Sequence, residues 1–349
     1  MFRASIDICA GWNRRVHHWL RRRWSVRFRQ KSRRGRPDSL RSAKKRQSWK
    51  AQYGRHVRWE VPSDTYVCWH ANSRAKAHIH FTTGEHLHKN ISQVYNGLDT
   101  SFDAYPQGEV RDPEAYKTAI DALSPGDAIT IFTPDPTHHP IALYAIRRGI
   151  HVMITKPAVK TLAEHQELLT EARKHKVFVY IEHHKRFDPA YADARHRART
   201  SLGDFNYFYA YMSQPKSQLE TFKAWAGKDS DISYYLNSHH IDVCESMVGE
   251  SYVPVRVTGS ASKGIATDLG CVPETEDTIS LLVNWVKKCD ESKRATGVYT
   301  ASWTAPQNAG VHSQQYFHYM ASKGEIMVNQ AKRGYDVSED TVGPVWYNP

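Results

Sequence analysis

The feature that most limits how this chain can fold is an alternation between residues 128 and 182. "AITIFT" (Ala128 to Thr133) reads as a buried strand, "HPIALYAIRR" as a helix and "HVMIT" as a second strand. Thr161 with Glu164 then forms a capping box that opens a third helix, and "VFVYIE" (Val177 to Glu182) is another strand. Strands separated by helices of about 10 to 15 residues build βαβ units, and so predict a parallel sheet. Upstream, Asp112-Pro113 predicts a helix start, with Tyr116, Ala119, Ile120 and Leu123 on one face and Ser124-Pro125-Gly126 as its stop.

After about residue 203 the rhythm changes. "DFNYFYAYMS" reads as a strand and residues 233–247 as a helix. "VPVRVTGSASKG", "EDTISLLVNWV", "TGVYTASWTA" and "QQYFHYMASKGEIMVNQ" then follow as long strands joined by turns. Successive strands without intervening helices predict a mostly antiparallel sheet, hence a second, α+β domain. A chain of 349 residues is long enough for two such domains.

Residues 1–83 do not share this grammar. They carry 21 of the 48 Lys and Arg but only 4 of the 36 Asp and Glu, together with Trp12, Trp19, Trp24, Trp49, Trp59 and Trp69. The basic balance of the chain therefore belongs to this segment, and the rest is mildly acidic. Lacking a sustained period, the segment is expected to be non-globular. The expected organisation is a basic segment over 1–83, a parallel-sheet domain over 84–187 and an α+β domain over 188–349. Cys9, Cys68, Cys244, Cys271 and Cys289 form no C-x-x-C pair, which points away from a disulfide framework or zinc knuckle and towards a cytoplasmic location. No run approaches the ~18 apolar residues of a membrane span.

Ligands of parallel sheets bind beyond the carboxyl ends of the strands. "TPDPTH" (Thr133, Pro134, Asp135, Pro136, Thr137, His138) occupies that place after one strand and "TKP" (Thr155, Lys156, Pro157) after the next. The two loops should lie side by side, with Asp135 or Thr137 capping the following helix. Lys156 is then either a surface lysine or a charge held over the crevice. "HHKRFDPAY" follows a third strand end, bringing Lys185 and Arg186 to the same side. In "YYLNSHHID", His239 and Asp242 share a helical face, with Tyr235 one turn earlier. That pair is either structural or half of a metal site; the further ligands a metal needs are not supplied, so no metal is expected.

Taken in order, "TPDPTH", "TKP", "EHHKRFDPAY" and "LNSHHID", followed by an antiparallel sheet, resemble the Gfo/Idh/MocA oxidoreductase family. Within it, residues from about Glu85 to Val337 are similar to the D-galacturonate reductases of fungal pectin catabolism. The segments "DPEAYKTAIDALSPGDAITIFTPDPTH" and "DFNYFYAYMSQPKSQLETFKAWAGKDSDISYYLNSHHID" carry that similarity. The resemblance implies a partial Rossmann domain over 84–187 and a C-terminal domain for substrate and oligomerisation over 188–349. It implies NADH or NADPH as cofactor and a sugar acid as substrate, with D-galacturonate reduced to L-galactonate.

On this reading Lys156 matches the lysine of the family's E-K-P motif and His239 its catalytic histidine. A fixed ammonium would polarise the carbonyl, and the imidazole would give a proton as hydride arrives. Thr155 replaces the motif's glutamate. Tyr235 stands where many members carry an aspartate, which routes the proton relay through a phenol. Thr133, Pro134, Asp135, Thr137, His138, Thr155, Lys156 and Pro157 would face the cofactor. Lys185 or Arg186 would meet the substrate carboxylate, unless they are exposed charges, with Asn237, His240 and Asp242 as further substrate contacts. A homo-oligomer through the large sheet is compatible with the pattern.

One element of the resemblance is missing. A Rossmann half needs a glycine-rich turn for the pyrophosphate, and residues 1–83 contain only Gly11, Gly35 and Gly54, from which no G-x-G-x-x-G can be written. The expectation is a mis-set reading frame or retained intron upstream of Gly84, and an early end after "GYDVSED". The rival is a functional basic tail that binds nucleic acid, or a transit peptide. A third reading is a non-catalytic scaffold with the oxidoreductase fold.

Overall fold

The computed structural model describes residues 65–69, 103, 105–106, 112–307, 313–330, 334–339 and 342–347. Its first part runs β1 (Thr65–Trp69), α1 (Ala115–Asp121), β2 (Ala128–Phe132), α2 (Asp135–Arg147), β3 (His151–Thr155), α3 (Leu162–His175) and β4 (Val179–Glu182). These strands form a four-stranded sheet in the order β1-β2-β3-β4. The last three are parallel, with Ile129 paired to Val152 and Val152 to Val179. Each is followed or preceded by a helix that returns the chain along the sheet, as parallel connection requires.

β1 departs from the expectation for 1–83. "TYVCW" is a β-branched and aromatic run of the kind that fits a pleated edge, and it pairs antiparallel with β2. The remainder of that segment, including any question of its frame or of a phosphate-binding turn, lies outside the described residues. α1 also starts later than Asp112-Pro113 suggests. The Asp112 carboxylate accepts from the Glu114 amide at 2.9 Å, a local turn that delays the helix to Ala115.

The core of this part is aliphatic. Ile129 and Ile131 of β2, Val152 and Ile154 of β3 and Val179 of β4 are buried against Ile141, Ala145 and Ile146 of α2 and Leu168 of α3. Each such side chain contributes roughly 1.5–3 kcal/mol of burial. α3 opens at the capping box: Thr161 accepts from the Glu164 amide, and the Glu164 carboxylate accepts from the Thr161 amide at 2.9 Å.

The second part begins with a 3-10 turn (His184–Phe187), then α4 (Pro189–Thr200), β5 (Phe205–Pro215), α5 (Gln218–Phe222), a π turn (Ser233–Asn237) and α6 (Ser238–Val248). β6 (Tyr252–Ser262), α7 (Ile265–Asp268), β7 (Thr278–Lys287), β8 (Asp290–Ala305), β9 (Gln314–Ala321), β10 (Gly324–Asn329), β11 (Gly334–Glu339) and β12 (Val342–Tyr347) complete it. The eight strands form one sheet in the order β12-β11-β10-β9-β5-β8-β7-β6. It is mostly antiparallel; β5 and β8, joined by a long crossover, are parallel.

The two-residue period of β5 sends Phe208, Ala210 and Met212 inward. There Phe208 packs with Trp285, Tyr299 and Phe317 under Ala194 of α4 and Val243 and Met247 of α6. A separate aromatic cluster around Trp303, Leu219, Ile232 and Leu236 lies beneath the π turn. No helix among the described residues is long and apolar enough to cross a membrane.

Candidate functional site

The parallel pairing of β2 with β3 brings their carboxyl-end loops together, and a single side chain stitches them. His138 is fully buried, with Nδ1 2.9 Å from the Pro157 carbonyl and 3.1 Å from that of Ala158, and Nε2 2.7 Å from the Thr133 carbonyl. Both ring nitrogens are used within the protein, so His138 shapes the crevice instead of facing a ligand. The helix cap differs from expectation as well. Pro134 is the N-cap residue of α2 and makes no side-chain cap bond, while Asp135 is already helical. The Thr137 hydroxyl turns back, 2.7 Å from the Pro134 carbonyl and 2.5 Å from the Thr133 hydroxyl, which removes it from the cap position.

Lys156 leaves the end of β3 and turns inward. Its ammonium donates to the Tyr235 carbonyl and stands 4.2 Å from the centre of the Tyr235 ring. Burial pushes its proton affinity down to about 8, against the opposing pull of Asp135 and Glu182 and with the help of Lys185. Glu182 is set opposite Thr155 in the β3–β4 register. The sequence pattern did not single out Glu182, although a carboxylate at a strand end beside a lysine is a readable signal. Pro134, Thr155 and Pro157 complete the two loops, each partly exposed.

Tyr235 lies in the π turn at Ser233–Asn237, one turn before His239 of α6, and no hydrogen bond joins its phenol to the histidine among the described residues. The Tyr235 ring instead stacks on Trp303 at 5.5 Å and touches Phe222 at 4.8 Å, and its hydroxyl accepts from Gln214 Nε2 at 3.3 Å. His239 projects from α6 against His184, with ring centres 4.8 Å apart. Burial first, then the charges of Lys156 and Lys185, hold its imidazole well below the usual range. It is therefore neutral at neutral pH, and the same burial and cations oppose its protonation, which runs against the expected near-neutral affinity. Its Nδ1, like that of His183, is buried with no partner among the described residues.

The other expected substrate contacts separate into two groups. Arg186 and Asp242 satisfy each other through two 2.6 Å bonds, and His183 lies 3.7 Å from the same carboxylate. The Asn237 amide donates to Ser233 Oγ at 3.0 Å and to the Ile279 carbonyl at 3.3 Å, and so braces the π turn. His240 is buried and stacked on Tyr191 at 6.2 Å, inside the core of the second sheet. These four residues are tied to one another or to neighbouring elements around the site.

Lys185 is different. It is 3% exposed, donates to the side-chain oxygens of Gln315 and Gln330, and has its affinity pushed down to about 8 by burial, opposed by Asp188. Among the described residues, neither Lys156 nor Lys185 pairs with a carboxylate. Gln214, Gln315 and Gln330 come from strands or from chain up to 145 positions away from their partners, which no local pattern reveals.

These residues can polarise a carbonyl oxygen and exchange a proton with it at Lys156, beside a neutral His239. They fit the reacting end of a nicotinamide: adjoining loops at parallel strand ends, an enclosed ammonium and an orphaned Nδ1 on a neutral histidine. The phosphate end is not supplied by a glycine-rich turn among the described residues. Nor do the described residues contain a group of three or more His, Cys, Asp or Glu that could hold a metal.

Known proteins agree with the architecture. The chain is 27% identical over 196 residues to a UDP-N-acetylglucosamine 3-dehydrogenase of Acidithiobacillus ferrooxidans, covering 53% of this chain and 59% of that protein. It is 35% identical over 131 residues to the scyllo-inositol 2-dehydrogenase (NAD(+)) of Bacillus subtilis, covering 37% of each. The chain thus spans less than two thirds of the length of these relatives. A crystal structure of an inositol dehydrogenase homologue from Azotobacter vinelandii, complexed with NADH and myo-inositol, superposes with a TM-score of 0.57 at 19% identity, over 74% of this chain and 71% of that one. That likeness shows a shared fold. Residues 88–183, which contain both loops and Lys156, match the GFO_IDH_MocA model of an oxidoreductase family with an NAD-binding Rossmann fold.

Proposed function

We propose that this chain has the site of an NAD(P)H-dependent oxidoreductase for a sugar acid, which reduces the aldehyde of D-galacturonate to give L-galactonate. The observation that carries the reading is the half-buried Lys156 and the buried Lys185, with no carboxylate bonded to either among the described residues. Burying an ammonium without a counter-ion is costly, and an anionic substrate would supply that counter-charge. The curated relatives act on a UDP-sugar and on an inositol by their names, which supports a sugar or polyol at this site; the sugar-acid class rests on the lysines and on the sequence resemblance.

A bound nicotinamide supplies the hydride. Lys156 orients and polarises the carbonyl oxygen and gives it the proton, since its affinity of about 8 leaves it mostly charged near neutral pH. In the reverse direction Lys156, deprotonated, takes the hydroxyl proton back, with the neutral His239 beside it. Lys185, held by Gln315 and Gln330, faces the carboxylate, while Arg186 is committed to Asp242.

Nicotinamide absorbance with galacturonate, glucuronate and myo-inositol tests this, on the full chain and on one whose residues 1–83 are replaced by a glycine-rich strand-turn-helix. Cofactor binding read separately by fluorescence distinguishes failure to hold the cofactor from failure to react. Turnover of the uronates that is lost in Lys156→Ala is expected. Turnover of myo-inositol alone overturns the sugar-acid reading, and full activity of Lys156→Ala overturns the role of the lysine.

A further inference from the structure

The contact between Lys156 and Tyr235 has two parts, and neither uses the phenol oxygen. One is the backbone carbonyl of Tyr235, which accepts from the ammonium; the other is the ring face, 4.2 Å from Nζ. An aromatic face carries partial negative charge and attracts a cation at this distance. The ring is not free to turn away. It is stacked on Trp303 with planes 16° apart, and Phe222 and Trp225 close the same cluster with centres 4.8 and 5.9 Å away. The phenol points to Gln214, which occupies it as an acceptor.

The surrounding chain holds the two partners in register. Lys160 donates to the Asp229 carbonyl, and the Tyr234 hydroxyl donates to the Lys160 carbonyl at 2.9 Å. With the Lys156 bond, three contacts clip residues 156–160 of the first part to residues 229–235 of the second. The charged groups acting on Lys156 are Asp135 from α2, Glu182 from β4 and Lys185 from the 3-10 turn, and Lys156 in turn acts on His183 and on His239 of α6. None of the three carboxylate or ammonium groups is bonded to it.

We infer that Tyr235 is a positioning residue: its ring face and backbone carbonyl form the seat of the Lys156 ammonium, and its phenol takes no part in proton transfer. A seat made of a ring and a carbonyl fixes the ammonium in direction without adding a full negative charge. Lys156 therefore stays easier to deprotonate than it would be beside a carboxylate, as a group that gives and regains a proton requires. The assignment rests on the reading of Lys156 as the group that meets the reacting oxygen, but its test does not use turnover.

The full chain, reductively methylated with 13C-formaldehyde, gives one dimethyl-lysine signal for Lys156, identified by its disappearance in Lys156→Arg. In the unsubstituted protein that signal is expected upfield of the other lysines, because it lies over a ring, with a titration midpoint near 8. Tyr235→Phe keeps the ring and the carbonyl, so position and midpoint are retained. Tyr235→Asp removes the ring and adds a carboxylate, which abolishes the upfield shift and raises the midpoint by at least one pH unit, a tenfold change in proton affinity. A Lys156 signal among the solvent-exposed lysines in the unsubstituted protein, or a Tyr235→Phe variant that shifts as far as Tyr235→Asp, overturns the assignment. The first outcome needs no variant of Tyr235 to fold. Turnover of the uronates in the separate assay leaves this result independent of whether the substrate reading holds.

Discussion

Arg186 and Asp242 provide the sharpest test of which residues around the site are ties and which are ligands. The guanidinium belongs to the 3-10 turn after β4, the carboxylate to α6, and their two 2.6 Å bonds join the parallel-sheet part to the helix that carries His239. Asp242→Ala removes both bonds at once. Breaking a fully buried pair costs about 3–5 kcal/mol, and an exposed pair contributes at most about 1. With side chains 24% and 12% exposed, this pair lies nearer the buried limit, and discounting for solvent gives about 2–3 kcal/mol. For a chain of this size that lowers the unfolding midpoint by roughly 3 to 6 °C, read by circular dichroism.

The paired replacement Arg186→Met with Asp242→Leu should recover most of the loss, because it removes the two charges together. Arg186→Met alone should cost about as much as Asp242→Ala, so that the cycle shows strong coupling. If both single variants melt within 1 °C of the parent while the Michaelis constant for galacturonate rises at least about tenfold, the two residues are substrate contacts after all. The cross-tie argument then fails.

Lys156→Ala should lower the turnover rate by about 10²–10⁴-fold, the range for a lost general acid, in nicotinamide assays. Because Lys156 must be protonated to reduce a carbonyl and its affinity is pushed down to about 8, reduction should decline as pH rises through that value, whereas a plateau to pH 10 would contradict the assignment. Gly227 has φ +72° and a Cβ there would sit 2.6 Å from the Thr275 amide nitrogen, so Gly227→Ala should destabilise the loop before the π turn by roughly 2–4 kcal/mol in urea unfolding. Burial raises Glu245 from the ordinary 4.5 to about 7. A carboxyl with a raised native affinity contributes stability that is full below pH 4.5 and is lost as pH rises through about 7, so Glu245→Gln should flatten the urea midpoint between pH 5 and 8.

What could be read from the sequence follows the range over which each interaction acts. β2 and β3 bury Ile129, Ile131, Val152 and Ile154 at alternate positions, and the Thr161–Glu164 box is a contact between residues three apart, so local pattern and structure coincide. The side-by-side loops follow from strand order alone, and that is why Lys156 could be placed before any coordinates. The π turn is not legible locally: the sequence reads as continuous helix from residue 233, whereas Ser233–Asn237 form a π turn whose Asn237 amide donates to the Ile279 carbonyl, whose Tyr235 carbonyl accepts from a lysine 79 positions away and whose Tyr235 ring stacks on Trp303. The same holds for Lys185, whose partners Gln315 and Gln330 arrive from β9 and the chain after β10. Residue types therefore identified which groups could do chemistry, while the fold decided their charge states. Among the described residues it left Lys156 and Lys185 without a bonded carboxylate and His239 neutral, and it joined Arg186 to Asp242. The motifs alone leave Lys185 and Arg186 as equal candidates for the substrate anion, and the bonds of Arg186 to Asp242 are what favour Lys185 in the proposal.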